Sequence, residues 1–217
     1  PPYVFAGHSM GGLYAANYAQ RYPQDVKGLV LLDPTPPDWF VEEAAFYGCD
    51  AEQVSAFNLY GSMFGLGAFH AINPLYSPFM DPIKKPIAKD WPLLVDWESR
   101  PVSLLSNASA MHYVCTHPFA LVRTPGTLGD IPVTMVVQTP DADWRKAVPP
   151  GLSPSEQANW TRAREAWRTA YVGYTSNGRL IFAPAGATHQ FPMTRPDFTL
   201  GVVRDALHRI ERPQSPR

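Results

Sequence analysis

Apolar residues gather in short, dense, largely β-branched runs at Tyr3-Val4-Phe5-Ala6, Val26 to Leu32, Ile131 to Gln138 and Arg179 to Ala183, each closed by Gly, Pro or Asp. Runs of that length and density predict strands buried in a parallel sheet. Between the first two, Leu13-Tyr14-Ala15-Ala16-Asn17-Tyr18-Ala19 predicts a helix that stops at Tyr22-Pro23. The chain therefore opens strand, helix, strand, a unit whose crossover is right-handed. Further on, Ser153-Pro154-Ser155-Glu156 predicts the capped start of a helix to about Tyr171, and Asn177-Gly178 a tight turn into the last strand. Pro196-Asp197 opens a final helix to about Arg212, with Phe198, Val202, Val203, Ala206, Leu207 and Ile210 recurring on one face.

From Thr35 to about Asp130 the strand rhythm is lost, and aromatic residues accumulate instead, among them Trp39, Phe40, Phe46, Tyr47, Phe57, Phe64 and Trp91. This predicts a helical, aromatic-rich cap over residues 34–130, with residues 1–33 and 131–217 forming the α/β core. The stretch from Phe57 to Ile72 is nearly free of charge, yet Gly61, Gly65 and Gly67 make it too short and too glycine-rich to span a bilayer. It lines a pocket, packs internally or touches lipid, and Phe64 is named for the pocket. Because Tyr3 begins a strand that a parallel sheet would hold centrally, neighbouring strands are expected from an upstream part of the precursor or from a second chain. A self-contained sheet that uses this strand as its edge is the alternative.

The first candidate for chemistry is Gly7-His8-Ser9-Met10-Gly11-Gly12, where a strand turns into a helix. A turn that sharp puts its central residue, Ser9, into a strained conformation and projects the side chain outward. Gly7 and Gly11 are expected to be the positions where only glycine fits. The Met10 N–H, at the helix N-terminus, is placed to donate to a developing oxyanion. A Gly-x-Ser-x-Gly pattern alone arises by chance in roughly one chain in fifteen of this length; the strand before it and the helix after it carry the reading.

Two more strand ends offer partners. The third strand leads into Thr139-Pro140-Asp141-Ala142-Asp143, and the fourth into Ala185-Gly186-Ala187-Thr188-His189. Side chains on loops just past strand ends are held by a rigid scaffold, so Asp141 is the favoured acid, with Asp143 beside it, and His189 is the base. Asp33, at the end of the second strand, reads first as a turn carboxylate before Pro34 and second as an alternative acid. A serine hydroxyl is a weak nucleophile near neutral pH until an adjacent base takes its proton, which is the work this histidine would do.

Ser, Asp and His in this chain order, with the nucleophile on the glycine elbow, resemble the α/β-hydrolase family over nearly the whole chain, from Tyr3 to about Arg212 and over the C-terminal two-thirds of that fold. The motifs that carry the resemblance are Gly7-His8-Ser9-Met10-Gly11-Gly12, the run Gly28 to Asp33, and the His189 loop with Arg195-Pro196 behind it. The resemblance implies a mostly parallel sheet flanked by helices, with a cap inserted after the second strand. It also implies a serine hydrolase in which Ser9 attacks, His189 takes the proton, and Asp141 orients the imidazole. Many relatives carry a Gly shortly before the acid where this chain has Gln138-Thr139-Pro140. Some members take their acid from the end of the preceding strand, which keeps Asp33 in play.

The expected substrate is a carboxylic ester of an apolar small molecule, cleaved through an acyl-enzyme; amide, thioester and lactone substrates share the same machinery. A ligand-binding module without catalysis and an acyltransferase are the alternatives. His8, next to the nucleophile, is expected to shape the substrate pocket. With 18 Lys and Arg against 19 Asp and Glu, the net charge of −1 provides no general attraction for nucleic acid. No apolar run reaches the length of a transmembrane span. The remaining histidines stand singly, so neither a metal nor a cofactor is called for. Cys49 and Cys115 both fall in the cap and allow one disulfide without requiring it. Asn107-Ala108-Ser109 and Asn159-Trp160-Thr161 are glycosylation sequons that hint only weakly at secretion.

Overall fold

The computed structural model describes residues 1–35, 88–98, 106, 126–139, 151–167 and 169–211. The chain forms two compact units, one of residues 1–37 and 120–217 and one of residues 38–119. In the second unit the described residues include a helix at Trp91–Glu98.

Four strands form one parallel sheet: β1 at Tyr3–His8, β2 at Val26–Leu32, β3 at Val133–Val137 and β4 at Gly178–Phe182, hydrogen-bonded in that order. The register pairs Phe5 with Leu29, Leu29 with Val133, and Val133 with Gly178, so all four C-terminal ends lie along the same edge of the sheet. β2 and β3 are buried almost throughout, as their unbroken apolar sequences require. β1 is different. Among the described residues it has one neighbour, β2, so it is the edge strand, and most of it is half-buried or exposed.

Helix α1, Met10–Arg21, follows β1 directly, buries Leu13, Ala15, Ala16 and Ala19, and is followed by a 3-10 turn at Pro23–Asp25. It covers the face of the sheet on which Phe5 lies, since the Phe5 and Tyr18 rings meet at 5.3 Å. The opposite face presents Val4, Val30, Leu32, Val136 and Ile181, which pack with Ala183, Ala187, Phe191, Val202 and Ala206. The last two belong to the C-terminal helix. That helix covers its face as the periodicity predicts, with Thr199 buried alongside Val202, Ala206 and Ile210.

The predicted helix after Ser153 begins at Pro154 and runs to Trp167 (α2), and a separate turn of helix at Ala170–Gly173 (α3) follows. Ser153 and Glu156 cap each other as their spacing suggests: the Glu156 carboxylate accepts from the Ser153 amide at 2.8 Å and from its hydroxyl at 2.6 Å. A short helix at Phe191–Thr194 (α4) precedes the C-terminal helix at Pro196–Glu211 (α5). Periodicity does not reveal a helix of four residues.

Candidate active site

Ser9 sits between β1 and α1 with φ 54° and ψ −125°, in a region that costs a non-glycine residue on the order of 1–3 kcal/mol and persists only where its surroundings enforce it. The surroundings do so by hydrogen bonding. The Ser9 amide donates to the Leu32 carbonyl at 3.1 Å, and its carbonyl accepts from the amides of Gly12 and Thr35, both at 3.0 Å. The elbow is thereby tied to the backbone on both sides of Asp33.

Close packing at the elbow rests on Gly7 and Gly12. A Cβ at Gly7 would lie 2.4 Å from the Gly11 carbonyl oxygen, and one at Gly12 would lie 2.6 Å from Cβ of Pro34. The expectation for Gly11 is corrected, because among the described residues a Cβ there would meet nothing within 4 Å. The contact is made by the helix backbone of Gly11 against Gly7, not by the space beside Gly11. Met10 is the first residue of α1, and its amide makes no hydrogen bond among the described residues. It is therefore free to donate to a ligand.

Asp33 is wholly buried and also has positive φ, 42°, immediately after β2. Its amide donates to the Val136 carbonyl at 2.7 Å, which fixes the turn against β3. Its Oδ2 accepts two hydrogen bonds of 2.6 Å, one from Nδ1 of His189 and one from Nε2 of Gln138. With Nδ1–H committed to the carboxylate, Nε2 of the neutral imidazole is the nitrogen left to act as a base. Asp141, Asp143 and Phe64 lie outside the described residues. Among the described residues, the carboxylate in contact with His189 is that of Asp33.

The loop that carries His189 is short and well anchored. Gly186 takes a left-handed φ of 74°, the Ala187 amide donates to the Pro184 carbonyl at 3.0 Å, and the Phe191 amide to that of Thr188 at 2.9 Å. Phe191, fully buried, fixes the far end of the loop in the core. His8 adds a lateral contact. Its Nε2 lies 2.8 Å from the His189 carbonyl oxygen, and the two rings meet at 4.5 Å. Because a carbonyl only accepts, Nε2 of His8 carries the proton. Burial, reinforced by the neighbouring His189, lowers the His8 pKa below its ordinary value; the backbone hydrogen bond and Asp33 oppose the shift.

Ser9, Met10, Asp33 and His189 thus share one edge of the sheet. Ser9 is bonded to both flanks of Asp33, Asp33 to His189, and His189 to the residue preceding Ser9. Gln138 is the member that the sequence did not single out as functional. Its one signal was a polar side chain ending an otherwise apolar strand. No group of three metal-ligating side chains occurs among the described residues.

Comparison with known proteins bears on the fold. Residues 1–55 match the family model described as α/β hydrolase fold. The uncharacterized protein YbdG of Bacillus subtilis (strain 168) is 32 % identical over 80 residues, covering 36 % of this chain and 23 % of YbdG. A (lyso)-N-acylphosphatidylethanolamine lipase of Mus musculus is 34 % identical over a match covering 22 % of this chain and 18 % of the lipase. The chain thus spans less than a quarter of either curated relative. Among solved structures, an epoxide hydrolase of Bacillus megaterium superposes with TM-score 0.53 at 18 % identity, covering 94 % of this chain and 68 % of that one. The chain has the α/β-hydrolase fold, and its first 55 residues match the family model of that fold.

Proposed function

We propose that the protein is a serine hydrolase that cleaves a carboxylic ester of an apolar small molecule through an acyl-enzyme, with Ser9 as nucleophile, His189 as base and Asp33 as the orienting acid. The supporting observation is the 2.6 Å contact between His189 Nδ1 and the buried Asp33 carboxylate, formed beside a strained serine elbow. In this reading His189 Nε2 takes the Ser9 hydroxyl proton as Oγ attacks the ester carbonyl. The Met10 amide donates to the resulting oxyanion, and the imidazolium, stabilised by Asp33, returns the proton to the departing alcohol. Water then repeats the sequence on the acyl-enzyme. Asp141, favoured by its position after β3, becomes the competitor in this assignment. Asp33 is preferred because its carboxylate already orients the imidazole.

His8 would help shape the substrate pocket; Phe64, the other residue named for it, lies outside the described residues. The side of β1 left open among the described residues is where a further strand would pair, and a loop after it would offer the second oxyanion donor. The test is direct. A fluorophosphonate probe should label one residue stoichiometrically, Ser9, and Ser9→Ala should abolish both labelling and ester turnover. Asp33→Asn should lower kcat by about 10⁴-fold, whereas Asp141→Asn and Asp143→Asn should stay within a few-fold of the parent. Full turnover in Asp33→Asn together with loss in Asp141→Asn would reverse the choice of acid. Absence of labelling would favour a binding module, and acyl transfer to an added alcohol in place of hydrolysis would favour an acyltransferase.

A further inference from the structure

Gln138, 1 % exposed, directly follows β3, and it donates one amide hydrogen to Oδ2 of Asp33 at 2.6 Å, the oxygen that also receives His189 Nδ1–H. Its own Oε1 is buried without a hydrogen-bond partner among the described residues. An unpartnered buried acceptor is costly, and an apolar side chain of similar volume would avoid that cost altogether. Turning the amide over would be worse, because Oε1 would then face the carboxylate and the buried NH₂ would lose its acceptor. The residue therefore keeps an unfavourable buried group in return for one donor directed at the carboxylate.

We infer that Gln138 is a positioning residue of the active site: its Nε2–H holds the Asp33 carboxylate in the rotamer that presents Oδ2 to His189, and supports its charge while the imidazole is neutral. This rests on the assignment of Asp33 as the orienting acid. Asp33 occupies a left-handed turn with φ 42°, so its side chain is aimed by its partners more than by a regular backbone element. Two donors converging on one oxygen leave the carboxylate little rotational freedom. His189 is in direct contact with it, and His8 senses its charge.

The donor matters most before His189 takes up a proton. Without it the Asp33–His189 pair holds a proton to higher pH, and the acid side of the pH–rate profile moves upward. A residue that merely fills space would change stability and leave that limb where it was.

The experiment measures kcat and KM with 4-nitrophenyl butyrate, and the second-order rate of fluorophosphonate inactivation, between about pH 5 and about pH 9. It compares the parent with Gln138→Met, Gln138→Asn and Asp33→Asn. Gln138→Met keeps length and volume but removes the donor. It should lower kcat on the order of 10²-fold with little change in KM, and raise the acid limb by about one pH unit in both assays. Should Gln138→Met fail to fold, Gln138→Asn, which keeps an amide but withdraws it by one methylene, should show the same shift. Parent-like kcat and acid limb in a folded Gln138 variant, with Asp33→Asn inactive, overturn the positioning role and leave the acid assignment standing. Parent-like activity in Asp33→Asn overturns both.

Discussion

Ser9 and Asp33 are the two non-glycine residues with positive φ among the described residues, and they lie at neighbouring strand ends. Strain of this kind survives where hydrogen bonds on both sides forbid relaxation, and here each residue's amide bonds to the adjoining strand: Ser9 to β2 and Asp33 to β3. His8 brings a pH dependence to the same edge. Its pKa is lowered from 6.5 by burial first and by His189 second, so below that value the unfolded chain binds a proton that the folded chain resists. The unfolded state then holds more protons, and stability rises with pH up to about the unfolded value, or equivalently falls on acidification through it. His8→Gln keeps a donor for the His189 carbonyl and removes the titration. The loss of melting temperature between about pH 7.5 and about pH 5.5 should therefore be smaller in His8→Gln than in the parent. An equal loss in both would show that His8 is not a source of that dependence.

Where β1 meets α1, the two backbones nearly touch, and that contact is legible in the sequence only in outline. Three glycines flank the elbow, and the motif alone does not tell which of them the packing needs. The structure separates them. Gly7→Ala drives a methyl into the Gly11 carbonyl, and Gly12→Ala drives one into Pro34, so each should cost about 1–3 kcal/mol in urea unfolding. Gly12→Ala should also slow the proposed ester hydrolysis, since the pressed element carries Asp33. Gly11→Ala meets open space inside a helix and should be neutral or stabilising by up to about 1 kcal/mol. Equal destabilisation at all three positions would refute this division of roles. Helices show the same contrast between local and distant causes. The cap of α2 was readable because Ser153 and Glu156 lie three residues apart. The division between α2 and α3, and the four-residue α4 that anchors the His189 loop through Phe191, carry too few residues to produce a period.

At the scale of the molecule, β1 is open on one side among the described residues, and an aromatic row runs beside it. Tyr3 meets Phe5 at 6.1 Å, Phe5 meets Tyr18 at 5.3 Å, and Tyr18 meets Tyr22 at 4.9 Å. Tyr3 and Tyr22 are 52 % and 46 % exposed, large rings beside a strand edge left open among the described residues. The 217-residue chain alone should therefore self-associate with rising concentration. Tyr3→Lys combined with Tyr22→Lys should shift it toward monomer in size-exclusion chromatography with light scattering. A parent chain that stays monomeric throughout would show that this edge is not adhesive.

Local chemistry determined the elements. Unbroken apolar runs, glycine at the elbow and a capped helix start specify strands, turn and helix through contacts a few residues apart, and the order of Ser, Asp and His followed from where those runs end. The partner of His189 is a different kind of fact, decided across 156 positions of separation by the register of β2 against β3 and by the loop that Phe191 anchors. Asp33 and Asp141 both follow a strand, and no pattern along a single chain tells which carboxylate a distant imidazole will meet. Packing in three dimensions brought Asp33 to His189 and set the amide of Gln138 behind it.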